Sequence, residues 1–180
     1  TDEPSTIKEY AEVVVEGIKE EVKKLKLKVP KIIIEPGRSI IGSAGVTAYT
    51  IGTIKKIPNV RTYISVDGGM SDNLRPMLYN AVYEAIVANK VNDPLIDKVT
   101  VAGKHCESGD VLIKDVFLPS LEVGDILVTP TTGAYGYSMA NNYNKQPRPA
   151  VVLVKDSKSK VIIRRETYED LVRLDQSLYD

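Results

Sequence analysis

Near the start of the chain apolar residues fall at helical spacing: Ile7, Tyr10, Ala11, Val14, Ile18, Val22 and Leu25. That stripe predicts an amphipathic helix over residues 7–26. Thr6 precedes it and Glu9 follows three residues on, a capping-box pattern in which each side chain satisfies a backbone N–H of the first turn. The lysines between Lys23 and Lys28 sit where the helix dipole favours cations, so they read as a solvated helix end. Past Pro30, Lys31-Ile32-Ile33-Ile34 includes an unbroken β-branched run that suits a strand buried on both faces, as in a helix-covered parallel sheet. One helix and one strand cannot make such a sheet. Either the partners lie outside this sequence or the strand does not form.

From Val46 onward the pattern changes to short apolar segments separated by turn residues. Strands are predicted at Val46–Ile51, Arg61–Val66, Lys98–Val101, Val111–Ile113, Asp125–Val128, Ala150–Val154 and Val161–Ile163. Their spacing suggests a Greek-key barrel or sandwich. One helix, near residues 72–89, is expected to interrupt them: Leu74, Met77, Leu78, Ala81, Val82, Ala85 and Ile86 form its stripe. Ser71 or Asp72 would cap it, and Pro76 falls in the first turn, where its missing N–H costs little. A second capping box, Thr167 with Asp170, opens a short C-terminal helix. The expected class is therefore mainly β: a β-barrel domain over residues 41–180, preceded by a helix and strand in residues 1–40.

Composition narrows the function classes. The 180 residues carry 24 basic and 24 acidic side chains, so binding nucleic acid or an anionic membrane through bulk charge is disfavoured. No apolar run approaches the roughly 18–20 residues of a membrane helix, and Thr1-Asp2-Glu3-Pro4 has no signal-peptide character. A single cysteine, Cys106, cannot close an internal disulfide, which fits a reducing, cytoplasmic setting. His105 is the one histidine, too few for a zinc site built on clustered Cys and His. Its sequence spacing offers no triad partner, so it reads as structural.

Four constellations could carry chemistry. Glu35-Pro36-Gly37-Arg38 follows the predicted strand, where ligands bind in α/β barrels; Gly37 would admit an anion close to the backbone and Arg38 supplies a planar cation. A plain Pro-Gly turn with a surface ion pair fits those four residues equally well. In Asp67-Gly68-Gly69-Met70-Ser71-Asp72-Asn73-Leu74-Arg75 and beyond, Arg75 and Tyr79 are four apart and share one helix face; an exposed arginine beside a half-buried tyrosine is the simpler account. Cys106-Glu107-Ser108-Gly109-Asp110 puts a lone thiol among ionisable groups, as a proton donor, a nucleophile or an inert residue. The fourth, Gly133-Ala134-Tyr135-Gly136-Tyr137-Ser138-Met139-Ala140-Asn141-Asn142-Tyr143-Asn144, is either built for polar contacts or a barrel connection.

In order and wording, EPGR, DGGMSDNLRPMLY, CESGD and GAYGYSMANNYN together resemble the diaminopimelate decarboxylases. These belong to the alanine-racemase-like decarboxylases that use pyridoxal phosphate and pair an α/β (TIM) barrel with a β-domain. The resemblance runs from about Lys31 to the C-terminus, and EPGR alone is shared with ornithine and arginine decarboxylases. It implies that residues 1–40 end the cofactor-binding barrel and that Glu35 pairs with the pyridine nitrogen. Pro36, Gly37 and Arg38 would hold the cofactor, with Arg38 also reaching a substrate carboxylate. Arg75 and Tyr79 would bind substrate, Glu107 its distal amino group, and Tyr135 would touch both cofactor and substrate. Cys106 would return a proton to the carbon that loses CO2. Cys106 and Glu107 would serve a neighbouring subunit, so the resemblance implies a homodimer. It also implies that the chain is the C-terminal part of the enzyme, without the cofactor-bearing lysine, and inactive alone. Two rivals remain: a decarboxylase of ornithine, arginine or carboxynorspermidine, for which Arg75 is poorly explained, and a non-enzymatic β-barrel interaction module, which has no chemical reason to retain Cys106 and Glu107.

Overall fold

A computed structural model describes residues 3–178; Thr1 and Asp2 of the N-terminal quartet lie outside the described residues. The chain divides into two units, residues 1–35 and 36–180. The first carries helix α1, Ile7–Lys24. Its predicted capping box is present: the Thr6 hydroxyl accepts the Glu9 N–H, and the Glu9 carboxylate accepts the Thr6 N–H at 2.6 Å. Lys23 and Lys24 occupy the last turn, as the lysine run foretold, with Lys24 paired to Glu21. The Ile32–Ile34 strand does not form. Residues 31–37 have no regular structure, and Ile33 and Ile34 are more than two-thirds exposed. A strand is held by its neighbours' backbone groups, and β-branched propensity alone cannot replace them.

In the second unit, α2 (Arg38–Ile41) leads to β1 (Thr47–Ile57) and β2 (Arg61–Val66). Then come α3 (Arg75–Tyr79), β3 (Ile86–Val87), β4 (Asp97–Ala102), β5 (Val111–Leu118), β6 (Ile126–Thr129) and α4 (Gly136–Met139). The hairpin β7 (Val151–Lys155) and β8 (Lys158–Ile163) and the capped helix α5 (Tyr168–Val172) complete it. All seven predicted strands from Val46 onward are present. With β3, which the pattern did not predict, they make a six-stranded sheet in the order β3-β6-β1-β2-β4-β5 and a separate two-stranded β7-β8 sheet. Alternating inward residues of the large sheet form the core, with Ile51, Ile64, Val101, Leu118 and Leu127 fully buried. Each such side chain contributes about 1.5–3 kcal/mol relative to exposure.

Two features correct the sequence expectation. First, the inserted helix is one short turn, not residues 72–89. Asn80 takes a left-handed conformation (φ 53°) and ends it, after which residues 81–87 alternate half-buried and exposed until Val87 is buried. Ala81, Tyr83 and Ala85 thus face inward at a period of two, which their apolar neighbours Val82 and Ile86 disguised as a helical stripe. Second, β2 and β4 pair in parallel within an otherwise antiparallel sheet. That pairing requires a crossover, and the segment from Asp67 to Ile96 supplies it.

Candidate active site

The strand directions gather the motifs at one edge of the sheet. β2 and β4 run parallel, so the loops after Val66 and after Ala102 leave the same edge. β1 is antiparallel to both β2 and β6, and Thr47 pairs with Thr129, so the turn before β1 and the loop after β6 emerge there too. The Arg38 turn, the Gly68–Arg75 loop, the Cys106 loop and the Tyr135 loop are therefore neighbours through topology. Sequence separation hid this.

Tyr135 is the centre of the first cluster. The Arg38 guanidinium lies 5.2 Å from its ring centroid and the Arg75 guanidinium 5.8 Å. Arg75 also stacks on Tyr79 at 5.1 Å, as their spacing of four on α3 predicted. Gly37 lies directly against the Tyr135 hydroxyl, so a Cβ here would displace the end of that side chain. Tyr135 itself adopts a left-handed backbone conformation (φ 68°), which costs a non-glycine residue about 1 kcal/mol and marks a position held by its surroundings. The holding contact is backbone on backbone. Thr132 N–H donates to Gly45 O at 2.9 Å and Gly133 N–H to Gly42 O at 3.1 Å. Pro36 is exposed beside Gly37. Glu35 ends the first unit as an exposed side chain.

Asp110 organises the second cluster. Its carboxylate accepts the Met70 N–H at 2.7 Å, the His105 N–H at 2.8 Å and the His105 Nδ1 at 2.7 Å. One buried carboxylate so ties the loop after β2 to the loop after β4. His105 is structural as expected, its side chain fully buried, but it does have an acidic partner five residues on. Cys106 is exposed. Its N–H donates to Asn144 Oδ1 at 3.2 Å, and the Tyr143 hydroxyl donates to Glu107 at 3.2 Å. Hydrogen bonds from the Gly109 N–H and then from Tyr143 hold the Glu107 carboxyl below its ordinary range, so it is an anion at neutral pH. Tyr143 and Asn144 had no assigned role in the sequence; the wealth of Tyr and Asn in their segment was the signal.

Met77, two residues from both Arg75 and Tyr79, packs against Gly109 beside Glu107.

The family model described as the pyridoxal-dependent decarboxylase C-terminal sheet domain matches residues 11–133. The chain belongs to this family. It is 54% identical to the diaminopimelate decarboxylase of Synechocystis over 97% of this chain and 37% of that protein. It is 53% identical to that of Bacillus subtilis over 97% and 40%. Among solved structures, the M. jannaschii diaminopimelate decarboxylase in complex with L-lysine superposes with a TM-score of 0.87 at 38% identity, over 98% of this chain and 40% of that one. The chain thus spans about two fifths of the length of the relatives it matches. The family's cofactor is pyridoxal phosphate. Two guanidinium groups around a tyrosine, with Gly37 directly against its hydroxyl, suit a cofactor and substrate rich in phosphate and carboxylate oxygens.

Proposed function

We propose that the enzyme containing this chain decarboxylates meso-2,6-diaminopimelate to L-lysine. The observation that carries this reading is the convergence of Arg38 and Arg75 on Tyr135, with Arg75 also stacked on Tyr79. Diaminopimelate has a carboxylate and an ammonium at both ends, so beyond the reacting centre it needs a second cation for the far carboxylate. Ornithine and arginine have a single carboxylate and leave Arg75 without a task.

Pyridoxal phosphate, when bound, takes up the electron pair released as the bond to CO2 breaks. Glu35 would keep the pyridine nitrogen protonated, and the Gly37 backbone with Arg38 would hold the phosphate. Arg75 and Tyr79 bind the substrate carboxylate, while Glu107 receives the distal ammonium. The Cys106 thiol gives its proton to the carbon that has lost CO2, and an exposed sulfur regains one from water. By resemblance to the family, one complete site takes Arg75 from one subunit and Cys106 and Glu107 from another. The active unit is then a homodimer. Residues 1–40 belong to the cofactor-binding barrel, and residues 41–180 form the β-barrel domain. An unpaired cysteine suits the cytoplasm.

The test is CO2 release by the full-length enzyme from diaminopimelate, ornithine and arginine. Diaminopimelate should have the highest kcat/KM; a preference for ornithine would refute the substrate reading. Cys106→Ala should keep cofactor absorbance and KM while kcat falls about 10²–10⁴-fold. An unchanged kcat would remove Cys106 from the reaction.

A further inference from the structure

Glu107 stands near the tip of the loop after β4, open enough to meet a ligand, yet its carboxylate is pinned. Oε1 accepts the Gly109 N–H at 3.2 Å and the Ser108 hydroxyl at 3.4 Å. Both donors are sequence neighbours that move with the loop. Oε2 accepts the Tyr143 hydroxyl at 3.2 Å, from a residue 36 positions away. Tyr143 reaches the loop a second time by stacking on buried His105, with ring centroids 6.1 Å apart and 30° between planes. Asn144 adds a third tie through the Cys106 N–H. The turn bearing these residues is anchored in its own right: Asn142 Nδ2 donates to Glu166 at 2.6 Å, and Arg148 binds the same carboxylate. Asn144 and Lys145 both hold left-handed conformations there (φ 54° and 57°), so the turn has one defined shape.

From this geometry we infer that Tyr143 is a positioning residue: it fixes the Glu107 carboxylate as the receptor for the cationic end of an amino-acid ligand. The inference rests on the reading of Glu107 given above. A free surface glutamate loses rotamer freedom when it captures an ammonium group, and that loss weakens binding. Tyr143 removes most of the loss beforehand, because its hydroxyl holds Oε2 while its ring is itself held by His105. A hydroxyl donor also leaves the second lone pair of Oε2 free to accept from the ligand.

The probes are L-lysine and 6-aminohexanoate, which has the same chain length, carboxylate and terminal amine without the α-ammonium that Glu107 would receive, titrated calorimetrically into the full-length holoenzyme. Tyr143→Phe keeps the ring and its stack and removes only the donor. It should weaken L-lysine about three- to tenfold, the range for releasing one ordered side chain, and leave 6-aminohexanoate within about twofold. Equal weakening of both ligands, or of neither, overturns the inference. Glu107→Gln should weaken L-lysine as well, and adding Tyr143→Phe to it should have no further effect. If Glu107→Gln binds L-lysine like the parent, the reading of Glu107 itself falls. If Glu107→Gln weakens L-lysine and Tyr143→Phe does not, only the role of Tyr143 falls.

Discussion

Replacing Gly133 with alanine would put a methyl group against the backbone of the Arg38 turn. The new Cβ would overlap the Ile41 carbonyl oxygen and lie 2.8 Å from Gly45 N and 3.1 Å from Gly42 O. Every neighbour is main chain, so no side-chain rotation relieves the contact. The two segments have to part by roughly 1 Å before a methyl group reaches ordinary van der Waals distance. That separation breaks Thr132 N–H to Gly45 O and Gly133 N–H to Gly42 O, now 2.9 and 3.1 Å. Overpacking costs about 1–3 kcal/mol and each lost hydrogen bond about 0.5–1.5 kcal/mol, so the expected loss is about 2–6 kcal/mol. The same movement carries Tyr135 away from Arg38 and Gly37, so KM for the substrate should rise with it. The assay is urea denaturation and steady-state kinetics on the full-length enzyme, with Gly17→Ala as control. Gly17 lies inside α1 with open space around it, where alanine should stabilise by about 0.5–1 kcal/mol. A Gly133→Ala enzyme with parental stability and parental KM would refute the claim that this backbone contact positions Tyr135.

Other expectations follow from single contacts. Arg75→Lys keeps the charge but loses the planar group stacked on Tyr79 and Tyr135, so KM should rise at least several-fold; an unchanged KM would leave Arg75 as surface charge. Hydrogen bonds from Arg148 hold the Glu166 carboxyl at about 2, below its ordinary 4.5. Its folded pKa is depressed, so its stabilisation is complete above pH 4.5 and disappears as pH falls through about 2. Acid unfolding should therefore flatten over that window in Glu166→Gln, and an identical acid limb would contradict the assignment. Thr167→Ala removes the cap of α5 and should cost about 1 kcal/mol by urea denaturation, against near-neutral behaviour if the cap is idle.

Features set by near neighbours were legible in the sequence. Both capping boxes form from residues three apart, and the seven strands from Val46 onward each declare themselves by local apolar runs and turn residues. Arg75 with Tyr79 on one helix face is likewise a consequence of spacing. What failed locally also has a physical cause. Ile32–Ile34 carries strand propensity and no partner, and residues 81–87 turn extended because Asn80 stops the helix and Val87 has a core to enter. Tertiary structure alone decided how distant motifs meet. A parallel β2–β4 pair brings the loops after Val66 and Ala102 to one edge, where the Asp110 carboxylate joins them and gives His105 the partner its spacing concealed. The contact of Gly133 with residues 41–45 sets Tyr135 between two arginines, and the turn at Tyr143 reaches Glu107 across 36 residues. Such contacts depend on strand direction and register, which a periodic pattern does not encode, because apolar alternation specifies the face a residue takes and not the neighbour it meets.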